Sequence, residues 1–238
     1  MDALEHHVAR QIEHSRDFFW HRVRWAAVSA YLPREGSFAV IDVGAGAGLL
    51  GMFMARDRPN GRYLFVEPIP ALERHLEELY GATANARRLE SYAAGDFLTV
   101  LDVLEHQADD RAFMSEFVNR MEAGARLILT VPALMQLWSN WDESLGHYRR
   151  YDKRALAKVI QGLPLRTVEM SYLFPEMLPL GLLRRFTRRG PVKAATKAEF
   201  PDLPRPLNDL LTGVGRALLP ARRLWPAGTS ILAVLERT

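Results

Sequence analysis

The fold is decided by Phe38-Ala39-Val40-Ile41-Asp42-Val43-Gly44-Ala45-Gly46-Ala47-Gly48. The first six residues are apolar except for Asp42 and predict a buried strand, and the three glycines that follow predict a tight turn. Glycine has no Cβ, so the backbone of such a turn can approach a ligand closely. The helix predicted from Leu49 onward presents free N–H groups and the positive end of its dipole to the same place. The stretch therefore predicts a ligand-binding turn at the carboxyl ends of parallel strands.

Strands and helices alternate along the rest of the chain. Short apolar runs predict strands, and a period near 3.6 residues predicts helices. The further predicted strands are 62–67, 86–94 (short and irregular), 97–103, 126–131, 165–172 and 230–235, and the predicted helices are 3–32, 49–56, 71–80, 109–121, 153–160, 178–186 and 207–219. This alternation predicts an α/β fold with a Rossmann-like, doubly wound, mostly parallel sheet.

We expect one domain that spans residues 1–238. Its parts are an N-terminal helical cap (1–36), a cofactor-binding core (37–172), a helical insertion or lid (173–228) and the last strand (229–238). The segment between the last two strands is too long for a plain loop in a compact domain, which is why we expect it to be helical.

Composition narrows the function classes. The chain contains no cysteine, which excludes a disulfide framework, an iron–sulfur cluster and a thiolate zinc site. Residues 1–11 are polar and lack the apolar core of a signal peptide, and the longest charge-free stretch, Leu127–Trp141, is too short to span a bilayer. We therefore expect a cytoplasmic protein, in solution or peripheral at the inner membrane face.

The insertion is markedly basic, although the formal net charge of the whole chain is only +3. Its runs Leu182–Arg189 and Leu218–Trp225 mix leucine with arginine, a composition that suits an interfacial helix, a lid over an acidic acceptor or a homodimer surface. These three alternatives stay open. No nucleic-acid recognition module is found, so we expect no nucleic-acid partner.

An acidic residue, Glu67, ends the second predicted strand about twenty residues after the turn. A carboxylate at this place can accept both hydroxyls of a ribose. The combination of the glycine turn between a strand and a helix with Glu67 at the end of the next strand predicts an adenosine-containing cofactor. Gly46, Gly48 and Gly51 also match G-x-G-x-x-G, so a nicotinamide cofactor remains an alternative.

Four segments carry a resemblance to a known family. They are the D-x-G-x-G-x-G pattern of 42–48, Leu101-Asp102-Val103-Leu104-Glu105-His106, the turn and strand 122–132, and Asp142-Glu143-Ser144-Leu145-Gly146-His147-Tyr148-Arg149-Arg150-Tyr151. Together they resemble the class I S-adenosylmethionine (SAM)-dependent methyltransferases of the small-molecule type, with the last segment similar to a loop in a bacterial branch. Two departures are Ala125, where the family has a second glycine, and the short stretch between Tyr80 and Phe97.

The resemblance implies a seven-stranded sheet with an antiparallel last strand, and SAM as cofactor. It also implies roles near the cofactor for residues at the carboxyl ends of the strands, for Arg24 of the first helix, and for an adenine-contacting pair. The cofactor-binding residues so implied are Arg24, Asp42, Gly44, Ala45, Gly46, Gly48, Glu67, Pro68, Glu90, Ser91 and Asp102.

Two histidines are candidates for the general base. His106 follows Asp102 by one helical turn, and His147 lies on the loop after the fifth core strand. We favour His147 slightly as the base. Methyl transfer to oxygen requires removal of the acceptor proton, and an imidazole titrates in the right range. The residues expected to bind the acceptor are Tyr148, Arg149, Arg150 and Tyr151.

A hard divalent cation could bind to Asp142, Glu143 and His147. Acidic loop residues are usually only solvated, so we expect no metal there. The function we expect is methyl transfer from SAM, to a hydroxyl oxygen of a small-molecule, lipid-linked or sugar acceptor. The alternatives are a NAD(P)-dependent oxidoreductase and a non-catalytic SAM-binding protein.

Overall fold

A computed structural model describes residues 17–93, 96–187 and 203–238. Its helices are α1 (Phe19–Ser29), α2 (Leu49–Asp57), α3 (Pro70–Tyr80), α4 (Asp110–Val118), α5 (Asn140–Ser144), α6 (Lys153–Ile160), α7 (Leu178–Thr187) and α8 (Arg205–Leu218). Its strands are β1 (Phe38–Val43), β2 (Gly61–Val66), β3 (Phe97–Leu101), β4 (Arg126–Pro132), β5 (Leu165–Leu173) and β6 (Ser230–Arg237). The predicted α/β class is confirmed, with strands and helices at nearly all of the expected places.

The strands form one mixed sheet in the order β2-β1-β3-β4-β6-β5. Strands β2, β1, β3 and β4 are parallel, and β6 is antiparallel to both of its neighbours. The antiparallel last strand is thus as expected, but the sheet has six strands in the described residues rather than seven.

The missing strand is the one expected over 86–94. Residues 82–84 and 86–88 form two 3₁₀ turns instead, and this region touches β2 through a single bridge between Phe65 and Asn85. Asn85 accepts a hydrogen bond from the backbone of Arg87, a local turn that competes with strand pairing. The residues after the bridge are too few, and too poor in β-branched side chains, to extend the ladder.

Two apolar layers cover the two faces of the sheet. Alternate residues of β1 point to opposite sides, so Ile41 lies in a core with α4 and α6, and Val40 lies in a core with α1 and α2. Both faces are therefore buried, which is why the strands read as nearly continuous apolar runs. Helix α6 begins at Lys153, as expected, because the side chain of Asp152 caps it by accepting a hydrogen bond from the backbone N–H of Ala155.

The insertion packs on the N-terminal helix. The side chain of Asn208 in α8 accepts from the backbone N–H of Phe19 at 2.8 Å and donates to the carbonyl of Asp17 at 2.6 Å. Gly215 lies so close to Val23 that an added Cβ would come within 2.7 Å of a Val23 methyl. None of the helices in the described ranges is long and apolar enough to cross a bilayer.

Glu169 of β5 fixes the end of the insertion to the sheet. Its buried carboxylate accepts from the hydroxyls of Tyr31 and Ser171, from Arg222 Nε at 2.7 Å and from Arg223 Nε at 2.6 Å. Burial raises the pKa of Glu169, but the donated hydrogen bonds outweigh burial and lower the pKa to about 2. Two arginines of the expected interfacial stretch 218–225 therefore bind Glu169, and residues 188 and 189 of the other basic stretch lie outside the described residues.

Glu169→Gln should lower the free energy of unfolding at pH 7 by about 3 kcal/mol, because a buried charge cluster loses its anion. A depressed folded pKa gives stability that is present above the unfolded value near 4.5 and is lost as the pH falls towards 2. In urea titrations, the difference in the free energy of unfolding between wild type and variant should therefore shrink as the pH falls from 5 to 2. The matched control is Glu236→Gln, which also pairs with two arginines but at the rim of the sheet. An equal loss in the two variants would contradict the role of burial.

Candidate active site

The glycine turn lies at the carboxyl end of β1 with a left-handed backbone. Gly44, Gly46 and Gly48 have φ of 71°, 56° and 73°, values that side-chain-bearing residues rarely adopt. A Cβ on Gly44 would come within 2.6 Å of a Val103 methyl, so the turn is pressed against the residue that follows Asp102. The two segments expected at the cofactor therefore meet.

Glu67 supports the turn from the end of β2. Its Oε2 accepts from the backbone N–H of Gly46 at 2.8 Å and its Oε1 from that of Ile69 at 2.9 Å. Burial raises the pKa of Glu67, although these backbone hydrogen bonds oppose the shift. The carboxylate is thus held beside the turn, as the sequence predicted, while Pro68 is exposed next to it.

Asp102 pairs with Arg24 across the carboxyl edge of the sheet. Arg24 donates to Asp102 Oδ2, and the hydroxyl of Thr130 donates to Asp102 Oδ1 at 3.0 Å. Asp102 has a φ of 58°, a strained value for a residue that is not glycine, and such strain is often found at functional sites. Helix α1 therefore places Arg24 beside Asp102 at the end of β3, which agrees with the neighbouring positions that the resemblance implies for the two residues.

Asp42 lies inside the sheet rather than at its edge. The hydroxyl of Thr99 donates to its Oδ1 at 2.7 Å, and that of Tyr63 donates to its Oδ2 at 2.9 Å. Burial raises the pKa of Asp42 to about 6 in spite of these hydrogen bonds. Both carboxyl oxygens are used by the neighbouring strands, an arrangement that anchors β1 below the turn.

A cluster of Glu105, His106 and His147, here named the Glu–His–His cluster, lies beside Asp102. One potential ligand atom from each residue lies within 4.8 Å of the other two. The imidazole rings of His106 and His147 meet edge to face, with centroids 4.6 Å apart. Burial and the nearby charge of Asp102 raise the pKa of Glu105 well above its usual range. The two candidate bases, His106 and His147, therefore lie next to each other.

Asp142 orients His147. Its Oδ1 lies 3.0 Å from His147 Nδ1 and accepts from Arg150 Nε at 2.7 Å. Burial raises the pKa of Asp142, but His147 and Arg150 outweigh burial and lower it, so the carboxylate is ionised at neutral pH. An ionised carboxylate can only accept, so His147 Nδ1 carries a proton, and His147 Nε2 lies 4.0 Å from Glu105 Oε1.

The four residues expected to bind an acceptor are placed differently from one another. Tyr148 is 58% exposed, while Tyr151 is buried and its hydroxyl donates to Asp110 at 2.9 Å. Arg149 also pairs with Asp110, at 2.7 Å, and Arg150 holds Asp142. Three of the four polar groups therefore bind inside the protein, and Tyr148 alone of the four is widely exposed.

Neither a family model nor a curated relative matches the chain. Solved structures do match over nearly its whole length. A chain of the complex between the Haloferax volcanii Trm112 methyltransferase activator and a methyltransferase is 14% identical, with a TM-score of 0.63 and coverage of 100% of this chain and 98% of that one. A SAM-dependent methyltransferase from Archaeoglobus fulgidus is 14% identical, with a TM-score of 0.57 and coverage of 95% and 96%.

The chain has the fold of SAM-dependent methyltransferases. Haemonchus contortus phosphoethanolamine N-methyltransferase 2, solved with S-adenosylhomocysteine, shares it at 15% identity and a TM-score of 0.54, over 89% of this chain and 51% of that one. At these identities the likeness concerns the fold alone.

Glu90 and Ser91 lie away from the glycine turn. Both are exposed, and the Ser91 hydroxyl donates to Glu122 at 3.1 Å, just before β4 begins. This is the amino edge of a parallel sheet, opposite the turn. The residue beside Glu67 is instead Arg87, which donates to the Glu67 carbonyl. The structure does not bring the expected adenine-contacting pair to the site.

No separate role was predicted for Glu105 or Thr130. Glu105 is 1% exposed and sits directly before a candidate base, and Thr130 is buried in β4 opposite Leu101. The position of an acid directly before His106 was a usable signal for Glu105, whereas its burial was not visible in the sequence. Thr130 carried no signal, since its contact with Asp102 depends on strand register.

Asp142→Ala should lower the free energy of unfolding by about 3–5 kcal/mol, because it leaves Arg150 and His147 without their buried acceptor. The control, Glu143→Ala, removes an exposed acid one residue further along the same helix and should change stability by less than about 0.5 kcal/mol. Urea titrations of both variants measure this contrast. Similar losses for the two acids would show that Asp142 does not organise the loop.

Proposed function

We propose that the protein is a methyltransferase that moves the methyl group of SAM to a hydroxyl oxygen. The observation that carries the proposal is the Arg24–Asp102 pair beside the glycine turn. A methionine moiety is a zwitterion, so it needs a cationic donor for its carboxylate and an anionic acceptor for its ammonium group. The pair offers both at one place.

The other residues of the site also fit this cofactor. Glycine at 44 and 48 leaves no room for a Cβ, so the backbone itself would face the adenosine, with Glu67 as the acceptor for the ribose hydroxyls. A dinucleotide fold is usually all parallel, whereas β6 here is antiparallel, which favours SAM over a nicotinamide cofactor.

Oxygen is the proposed acceptor atom because the adjoining groups are suited to removing a proton. Similar structures include both an O-methyltransferase, mitomycin 7-O-methyltransferase, and an N-methyltransferase, coclaurine N-methyltransferase, so the fold alone does not decide the acceptor atom. A neutral amine can attack through its own lone pair, but a hydroxyl must lose its proton. The Asp142–His147 pair is an oriented carboxylate–imidazole couple of the type that serves this purpose.

Bound SAM supplies an electrophilic methyl group. The acceptor oxygen would form the new C–O bond while the C–S bond breaks, its electron pair stays on sulfur, and the hydroxyl proton leaves towards the imidazoles of His106 and His147. Holding both reactants in line supplies much of the rate. We further propose a small-molecule, lipid-linked or sugar acceptor, which would reach the site between Tyr148 and the insertion.

Gly46→Ala should weaken binding of S-adenosylhomocysteine at least about tenfold, because a side chain enters the turn that approaches the ligand. Gly36→Ala is the matched control, since Gly36 also has a positive φ of 78° but has open space around it in a surface turn. Both variants should lose about 1 kcal/mol of stability, and only the first should lose affinity. Calorimetric titrations, with NAD(H) in a parallel arm, would reject the proposal if NAD(H) alone bound.

Asp102→Asn should weaken S-adenosylhomocysteine about tenfold and leave 5′-methylthioadenosine unaffected. The second ligand lacks the amino-acid part that Asp102 and Arg24 would hold, so it serves as an internal control. Asparagine tolerates the left-handed backbone at 102, which limits structural side effects. An equal loss for both ligands would place Asp102 at the adenosine instead.

A further inference from the structure

Glu105 is a buried acid of this site that pairs with no arginine or lysine among the described residues. Asp102 pairs with Arg24, and Asp142 pairs with Arg150. Glu105 is 1% exposed, and its Oε2 is buried without a hydrogen-bond partner in the described part of the chain. A carboxylate so deeply buried is costly unless it is neutralised or bound to a cation.

The groups opposite the Glu105 carboxyl are two imidazoles. His147 donates its Nδ1 proton to Asp142, and its Nε2 lies 4.0 Å from Glu105 Oε1, which is too far for a hydrogen bond. His106 adds a third potential ligand atom, and the three atoms lie within 4.8 Å of one another. A cation bound between them would be held by the carboxylate and by the ring nitrogens together.

We propose that Glu105, His106 and His147 bind one divalent transition-metal cation. Metal–ligand bonds of about 2.1 Å place neighbouring ligand atoms about 3–3.5 Å apart, so small side-chain rotations would close the set. Two imidazoles with one carboxylate favour ions such as Mn²⁺, Fe²⁺, Co²⁺ or Zn²⁺ over Mg²⁺ or Ca²⁺. This set shares only His147 with the loop group Asp142, Glu143 and His147, for which the sequence predicts no metal.

The surroundings match those of metal-binding histidines. Such a histidine commonly donates its second ring N–H to a carboxylate that fixes the tautomer and the ring orientation. Asp142 has this relation to His147, and Arg150 in turn fixes Asp142. The loop is also tied to the acid, since the backbone N–H of Tyr148 donates to the Glu105 carbonyl at 2.8 Å.

Three protein ligands leave coordination positions for the acceptor. This role rests on the proposed function, whereas binding of the cation does not. A coordinated hydroxyl has a lowered pKa and releases its proton to solvent. The resulting oxygen anion forms the bond to the methyl carbon, and the electron pair of the broken C–S bond remains on sulfur, which yields S-adenosylhomocysteine. With the cation bound, the two histidines hold the metal, and this route to the oxygen anion replaces proton transfer to their imidazoles.

The test is a Mn²⁺ titration of the untagged full chain, followed by electron paramagnetic resonance. We expect one Mn²⁺ per chain and couplings to imidazole nitrogen in the bound signal. Glu105→Gln and His147→Gln should each weaken binding at least about tenfold. The controls, Glu143→Gln and His75→Gln, change the same residue types outside the cluster and should bind as wild type does.

Two outcomes would overturn the proposal: absence of tight Mn²⁺ binding by the wild type, or cluster variants that bind Mn²⁺ as wild type does. Urea titrations establish that each variant is folded, and His147→Gln and Glu105→Gln serve as independent checks on each other. S-adenosylhomocysteine is titrated into the same samples with a chelator present. If a cluster variant loses Mn²⁺ binding but keeps normal S-adenosylhomocysteine affinity, the substitution has affected the cation site alone. If the wild type binds Mn²⁺ but not S-adenosylhomocysteine, the proposed function is contradicted.

Discussion

The rest of the site depends on the ion pair between Arg24 and Asp102, which joins two distant parts of the chain. It connects α1, which belongs to the N-terminal cap, with the carboxyl end of β3 in the middle of the sheet. Val103 follows Asp102 directly and packs against Gly44, so the position of the ion pair also sets the position of the glycine turn. Glu105 and His106 come next in the chain. One contact thus aligns the proposed methionine, adenosine and acceptor regions.

The pKa values of the buried acids in this part of the molecule shift in opposite directions. His147 and Arg150 outweigh burial and lower the pKa of Asp142, while Asp42 has only hydroxyl partners and its pKa is raised to about 6. Glu105 has a raised pKa as well, and a negative neighbour in Asp102 adds to the effect of burial. Perturbed acids of this kind gather at functional sites, where charge is arranged for chemistry rather than for stability.

Much of the fold follows from local signals in the sequence. The glycine turn, the alternation of strands and helices, and the start of α6 at Lys153 all depend on near neighbours in the chain, and all are confirmed. The strand expected over 86–94 did not form, because Asn85 and its neighbours make local 3₁₀ turns that the apolar pattern does not reveal. The burial of Glu105 and the use of Arg222 by Glu169 depend on contacts between distant segments, so no local pattern could show them.

The hydrogen bonds of Asn208 have a consequence for the order in which the protein is completed during synthesis. They hold the first turn of α1, the helix that carries Arg24, yet Asn208 is translated almost 190 residues after Phe19. Chains begin to fold while they are still being synthesised. The four parallel strands and the glycine turn can therefore form while α1 still lacks its anchor, whereas β6 is translated after Asn208. Helix α1 gains these hydrogen bonds only after Asn208 has emerged, so the proposed cofactor site would be completed late.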